Sequence, residues 1–230
     1  MNSPTLDTET MRTSHSREAE ERAQFLLRMR AKGIGDLRLL RAMELTPRAR
    51  FMPQRYADIA ARDIALPIGC GQTSAPPSTL AAMIEALALK ETSRVLEIGA
   101  GSGYSAALIA QIAAQIVSFE RCQTLAAEAT ARLEAFGLGA VVVRFADGLS
   151  LGRIGPFDGI LIDALIEPPA ELFTRLLAPG GVLVAGVAGE TRGQQRILRL
   201  AKSAEGAVSA QALGHVRTLM PLVDGLARAL

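Results

Sequence analysis

Cysteine and histidine are scarce: two of each occur in 230 residues, and there is no tryptophan. Cys70 and Cys122 are too few for the disulfide framework of a small secreted domain. With His15 and His215 they make no credible zinc cluster, so no metal is expected. Long apolar runs are missing too. None is long and uninterrupted enough to span a bilayer, and Met1 to Arg22 lacks the apolar core of a signal peptide. Excess charge of one sign is also absent, and a formal net charge of +2 is too small to imply a nucleic-acid partner. The expectation is a cytoplasmic chain with no membrane or nucleic-acid partner; the oligomeric state is left open.

What is present is apolar: 49% of residues are hydrophobic and 21% charged, the balance of a globular domain with a sizeable core. The chain is organised around Val95-Leu96-Glu97-Ile98-Gly99-Ala100-Gly101-Ser102-Gly103-Tyr104. Arg94 to Ile98 reads as a buried strand, and Tyr104 to Ala114 carries apolar residues at helical spacing. A strand that passes through glycines into a helix brings backbone N–H groups close to a bound ligand. The dinucleotide fingerprint wants a third glycine where Tyr104 stands, so the spacing here is G-x-G-x-G. Ile116 to Glu120 reads as a second strand ending in an acid, about twenty residues past the first glycine, where a carboxylate can accept two ribose hydroxyls. This spacing, with Glu97 inside the strand, resembles the S-adenosylmethionine site of class I methyltransferases. The candidate cofactor residues are therefore Glu97, Ile98, Gly99, Gly101, Gly103 and Glu120.

Residues 1–16 lack periodicity and are expected to be a mobile tail. Residues 17–65 are expected to form a helical cap, with helices over Arg17–Ala31 and Leu37–Met43, the second stopped by Pro47. Leu66 to Pro77 reads as a structured loop dense in glycine and proline, followed by a helix capped by Ser78 or Thr79. From there strands and helices alternate to Val187, which implies parallel pairing, and Gln195–Lys202 with Ala207–Val216 suggests an antiparallel finish. The fold expected for 17–230 is one α/β domain: a Rossmann-like sheet with helices on both faces. Asp147-Gly148, at a strand end, is a candidate adenine contact or simply a turn.

Most of the chain, from about Arg28 to Val223, resembles the protein-L-isoaspartate O-methyltransferases. The resemblance is carried by Arg50-Phe51-Met52-Pro53, Leu66-Pro67-Ile68-Gly69-Cys70-Gly71-Gln72-Thr73, Val95 to Tyr104, Asp147-Gly148, Phe157-Asp158, Pro179-Gly180-Gly181 and Pro221-Leu222-Val223. It implies S-adenosyl-L-methionine as cofactor and an isoaspartyl protein or peptide as acceptor. Two alternatives stay open: a different small-molecule or peptide carboxylate, or a cofactor-binding module with little turnover. The G-x-G-Q-T loop is the specific part, and it departs from the family just beyond. The family continues T-I-S-x-P, with its serine hydroxyl beside the reacting carboxylate; an ungapped alignment puts Ala75 at that serine. Ser74 and Thr73 are the candidate replacements. Asp163 is a second departure, at a position where glycine or threonine is usual. Cys70, between two glycines, is expected to be structural.

Overall fold

The computed structural model describes residues 8–152, 154–167, 171–216 and 218–228, with side chains from residue 19 onward. Helix α1 spans Thr8–Ala31 and α2 spans Leu37–Leu45. Helix α1 thus begins inside the segment expected as a tail, with residues 8–16 helical backbone, while residues 1–7 lie outside the described residues. Apolar periodicity reports burial rather than helicity, so a helix can run through Glu9, Met11 and Arg12 without an apolar stripe to announce it. In α2 the side chain of Asp36 caps the N-terminus by accepting from Arg38 N and Leu39 N, and Leu39, Leu40, Ala42 and Met43 form the buried face. Two 3₁₀ turns, Arg48–Phe51 and Gln54–Ile59, complete the cap.

The loop that follows is a small antiparallel hairpin, β1 (Leu66–Pro67) with β2 (Thr73–Ser74), leading into α3 (Pro77–Ala86). The main sheet has seven strands: β3 (Arg94–Ile98), β4 (Gln115–Glu120), β5 (Val142–Phe145), β6 (Phe157–Ile166), β7 (Leu177–Ala188), β8 (Gln195–Lys202) and β9 (Val208–Val216). Their order is β5-β4-β3-β6-β7-β8-β9. The first five are parallel, and β7, β8 and β9 pair antiparallel, as the sequence suggests. Helices α4 (Tyr104–Ile109), α5 (Gln123–Ala135) and α6 (Glu171–Thr174) form the crossovers.

Alternation along each strand sends side chains to two cores. Val95, Leu161, Val182 and Val184 join α2 to α5 on one face; Leu96, Ile98, Ile160, Ile162 and Leu183 join Phe173 of α6 on the other. The second face is thinly covered. The expected helix Glu171–Leu177 stops at Thr174 because Leu177 already pairs with Phe157 at the start of β7. The chain leaves β3 toward β4 and β5, then returns across it to β6. That reversal opens a crevice at the carboxyl ends of the strands.

Candidate active site

One cavity occupies this crevice. Its lining includes Ile98, Gly99, Gly101 and Ser102 from the glycine turn, Phe119, Glu120 and Cys122 from the end of β4, and Gly148 and Asp163. Thr73, Ser74 and Cys70 of the hairpin also line it, as do Met220 to Val223 of the C-terminal segment. Of the candidate residues, Thr73, Ser74, Ile98, Gly99, Gly101, Glu120 and Gly148 are brought together here. Glu97, Gly103 and Asp147 do not line the cavity, and Ala75 is buried in the hydrophobic core.

The glycine turn is built locally. Gly99, Gly101 and Gly103 have φ of 89°, 53° and 87°, a left-handed backbone that other residues resist. A Cβ on Gly103 would stand 3.2 Å from Ala129 Cβ, so that glycine lets α4 pack against α5. Glu120 braces the turn: Oε2 accepts from Gly101 N at 2.9 Å and Oε1 from Cys122 N at 2.8 Å. Each oxygen keeps a further lone pair for a hydroxyl.

Glu97 is fully buried one layer beneath. Ser118 Oγ donates to its Oε2, and Oε1 has no hydrogen-bond partner. Burial pushes this carboxyl up to about 7, opposed by the nearby hydroxyls of Ser105 and Ser118, while the charges of Asp163 and Glu120 push it further up. Asp163 carries a second enclosed oxygen without a partner, and burial raises it to about 6 while the Arg48 guanidinium opposes. Asp147 does its work in a turn. Burial works against its ionisation, yet N–H groups of Leu149 and Gly225 and the Ser150 hydroxyl hold its carboxyl below the usual range.

The hairpin opposite is held from a distance. Gln72 N donates to Gly69 O, and the two residues between them, Cys70 and Gly71, have φ of 58° and 65°. Two left-handed residues are the pattern of a type I′ turn, and at a non-glycine such as Cys70 it costs about 1–2 kcal/mol. Sequence reasoning missed the main support, Arg48. Its guanidinium is buried and donates to Ala60 O, Ile64 O, Ser74 O, Ser74 Oγ and Ala75 O at 2.9–3.3 Å. Burial lowers Arg48 to about 10, so it stays charged at neutral pH. Nothing in the sequence around Pro47-Arg48 marks this role, because the five acceptors lie 12 to 27 residues away. The α3 cap is likewise corrected: Ser78 N and Oγ both donate to Asp63, at 2.9 and 2.7 Å, so the capping carboxylate comes from before the hairpin.

Cys70 is disulfide-bonded to Cys122, a pairing that the sequence did not indicate. The C-terminal strap closes the cavity. Leu165 N donates to Met220 O and Leu222 N to Leu165 O; Arg121 donates to Gly225 O and Asp224 O; Gln123 N donates to Ala227 O. The family resemblance also suggests the C-terminal segment from Arg217 to Val223 as a peptide-binding edge; of it, Met220 to Val223 line the cavity and Arg217 lies outside the described residues.

Comparison with known proteins decides the family. The family model for protein-L-isoaspartate(D-aspartate) O-methyltransferases matches residues 20–227. The chain belongs to this family. A protein-L-isoaspartate O-methyltransferase of Azorhizobium caulinodans is 42% identical over 219 residues, covering 95% of this chain and 100% of that one. One from Maricaulis maris is 41% identical over 208 residues, covering 90% and 96%. A crystal structure from Plasmodium falciparum assigned to the same enzymes, in complex with S-adenosyl-L-homocysteine, superposes with a TM-score of 0.72 at 19% identity. It covers 86% of this chain and 96% of that one, and the common fold is that of class I methyltransferases. Among the described residues no helix is long and apolar enough to cross a membrane.

Proposed function

We propose that this protein uses S-adenosyl-L-methionine to methylate the free carboxylate of L-isoaspartyl residues in damaged proteins or peptides, in the cytoplasm. The observation that carries the reading is one cavity lined together by the glycine turn, Glu120 and the Thr73–Ser74 edge of the hairpin. Family membership supports the reaction, and the geometry suggests which residues serve it.

The cavity fits the cofactor. Gly99 and Gly101 leave the cradle open, and a Cβ on Gly101 would press to 3.3 Å from Ile68 Cδ1. Glu120 offers lone pairs for the ribose hydroxyls, and Ile98, Phe119 and Leu125 give apolar surface for a flat base. Gly148 lies at the same wall, where a Cβ would run into Ile98. Glu97 is buried beneath, bonded to Ser118 of β4, and does not itself line the cavity. Bound there, S-adenosylmethionine supplies an electrophilic methyl group on a sulfonium that leaves as a neutral thioether.

An acceptor carboxylate with a pKa of about 4 is ionised at neutral pH, so no general base is needed. The chain's contribution is to orient, which is worth roughly 7–11 kcal/mol when complete. Thr73 and Ser74 are the hydroxyls on the acceptor side. Ser74 Oγ accepts from Arg48 at 3.1 Å, which leaves its own proton to donate to a carboxylate. Such a bond to a charged group contributes about 1–3 kcal/mol. Ala75 at the family's serine position is compatible with this, since its side chain is in the core.

A methylation assay with an isoaspartyl peptide and its aspartyl twin tests the proposal. Strong labelling of the first and none of the second is expected; equal or absent labelling would sink it. A different carboxylate acceptor is the second reading, favoured by Asp163, whose carboxyl lines the same cavity where the family resemblance implies glycine or threonine.

A further inference from the structure

Cys70 and Cys122 are the only cysteines of the chain, and they are bonded to each other across 52 residues. Both line the cavity. Cys70 sits at the tip of the acceptor hairpin, half-buried, with a left-handed backbone unusual for a residue bearing a Cβ. Cys122 is buried at the opposite wall, where its N–H donates to Glu120 Oε1, two residues before it, and its backbone pairs with Ala227 of the strap. The bond therefore ties the acceptor hairpin to the wall that carries the ribose carboxylate. It also lies beside the strap, so three walls of the cavity meet at one sulfur pair.

We propose that Cys70–Cys122 is a thiol-exchange site, reduced by a dithiol, and that its redox state governs how fast the cofactor enters and leaves the cavity. A thiolate of the reductant attacks Cys70 Sγ, the more accessible sulfur. The Sγ–Sγ bond breaks, and its electron pair leaves on Cys122 Sγ, which takes a proton. The reductant's second thiol then attacks the mixed disulfide, freeing the Cys70 thiol and leaving the reductant as its own disulfide. Two electrons pass from the dithiol to the protein. The released tip then keeps its Gln72 N–Gly69 O turn bond, and the hairpin keeps its Arg48 anchor at Ser74 and Ala75, while Cys70 is free to leave its left-handed backbone. In a reducing compartment a bridge of this kind is transient rather than structural, which matches its position at a functional mouth.

The proposal rests on the reading of this cavity as the cofactor site, and the experiment separates the two. The full chain, oxidised with a small-molecule disulfide, is loaded with S-adenosyl-L-homocysteine, and its dissociation rate is measured with and without dithiothreitol. Reduction is expected to speed dissociation severalfold. Cys70→Ser is expected to dissociate at the fast rate and to ignore dithiothreitol, and Cys122→Ser serves as a second variant, with both checked for folding by circular dichroism. Equal rates with and without reductant, with binding intact, would overturn the clip and leave the cofactor site standing. Absence of binding in both redox states would overturn the cofactor site and the clip together. Two free thiols titrating in the oxidant-treated protein would overturn the clip as well.

Discussion

The two walls of the cavity are built by opposite means. The cofactor wall is a continuous stretch of chain, in which a strand, three glycines and a helix follow one another and the brace from Glu120 arrives about twenty residues later. The acceptor wall is a hairpin with two residues in each strand, too short to stand alone. It is held by Arg48 from the cap, Asp63 at α3 and Cys122 from the far wall. Local backbone conformation makes the first wall, and long-range polar attachment makes the second. The cofactor wall should therefore tolerate changes elsewhere, whereas the acceptor wall should fail when a distant anchor is removed.

Removing the anchor gives the largest expected effect. Arg48→Leu strips partners from several buried carbonyls, each worth about 1–3 kcal/mol, so a loss of about 3 kcal/mol or more is expected in urea unfolding. Isoaspartyl methylation should fall with it, and a variant of wild-type stability would break the contrast between the walls. Gly101→Val acts on the other wall. Its side chain enters the cavity from a left-handed position, so calorimetry should register loss of S-adenosylhomocysteine affinity of at least tenfold, equivalent to about 1.4 kcal/mol.

Glu97 sharpens the comparison through pH. Its folded carboxyl stands at about 7 against a reference of 4.5, so the folded state holds its proton more tightly than the unfolded chain. The stability this contributes is complete below pH 4.5 and is lost as pH rises through about 7. Asp163, raised to about 6 from 3.8, adds a loss of the same sign over a lower window. Unfolding of the cofactor-free protein should thus need less urea at pH 8 than at pH 5. Glu97→Gln should flatten that slope and raise stability at pH 8, while weakening cofactor binding through the turn above it. A slope unchanged in Glu97→Gln would refute the assignment.

The last pair of tests concerns hairpin positions 74 and 75. Ser74→Ala removes the donor proposed for the acceptor carboxylate, worth about 1–3 kcal/mol, so kcat/KM for the isoaspartyl peptide should fall roughly ten- to a hundredfold. Ala75→Ser should give no gain, because position 75 is in the core and away from the cavity. A rate increase in Ala75→Ser would show that the hairpin presents position 75 to the acceptor.

Legibility in the sequence followed the same division. The strand Arg94–Ile98, the start of α4 at Tyr104, the strand Gln195–Lys202 and the antiparallel finish agree with the pattern of apolar residues and turns. Those features depend on neighbours within a few positions. The Asp63 cap and the Arg48 anchor left no trace in local pattern, because a carboxylate or guanidinium looks the same in sequence whether buried or solvated. Glu97 and Asp147 stand at the expected strand and strand end, yet one is buried beneath the turn and the other is spent on Leu149, Ser150 and Gly225. Periodicity gives a residue's face on a strand, not the depth at which packing leaves it.

By itself, then, the sequence determined the sheet, the glycine turn and the family, since each is written in short-range spacing and residue type. Only the tertiary structure decided what holds the acceptor hairpin, which of its hydroxyls meets the cavity, and that its one half-buried cysteine is joined to the cofactor wall. Those outcomes depend on side chains brought together from positions 48, 63, 70 and 122, and the folded core, not local sequence, makes them neighbours.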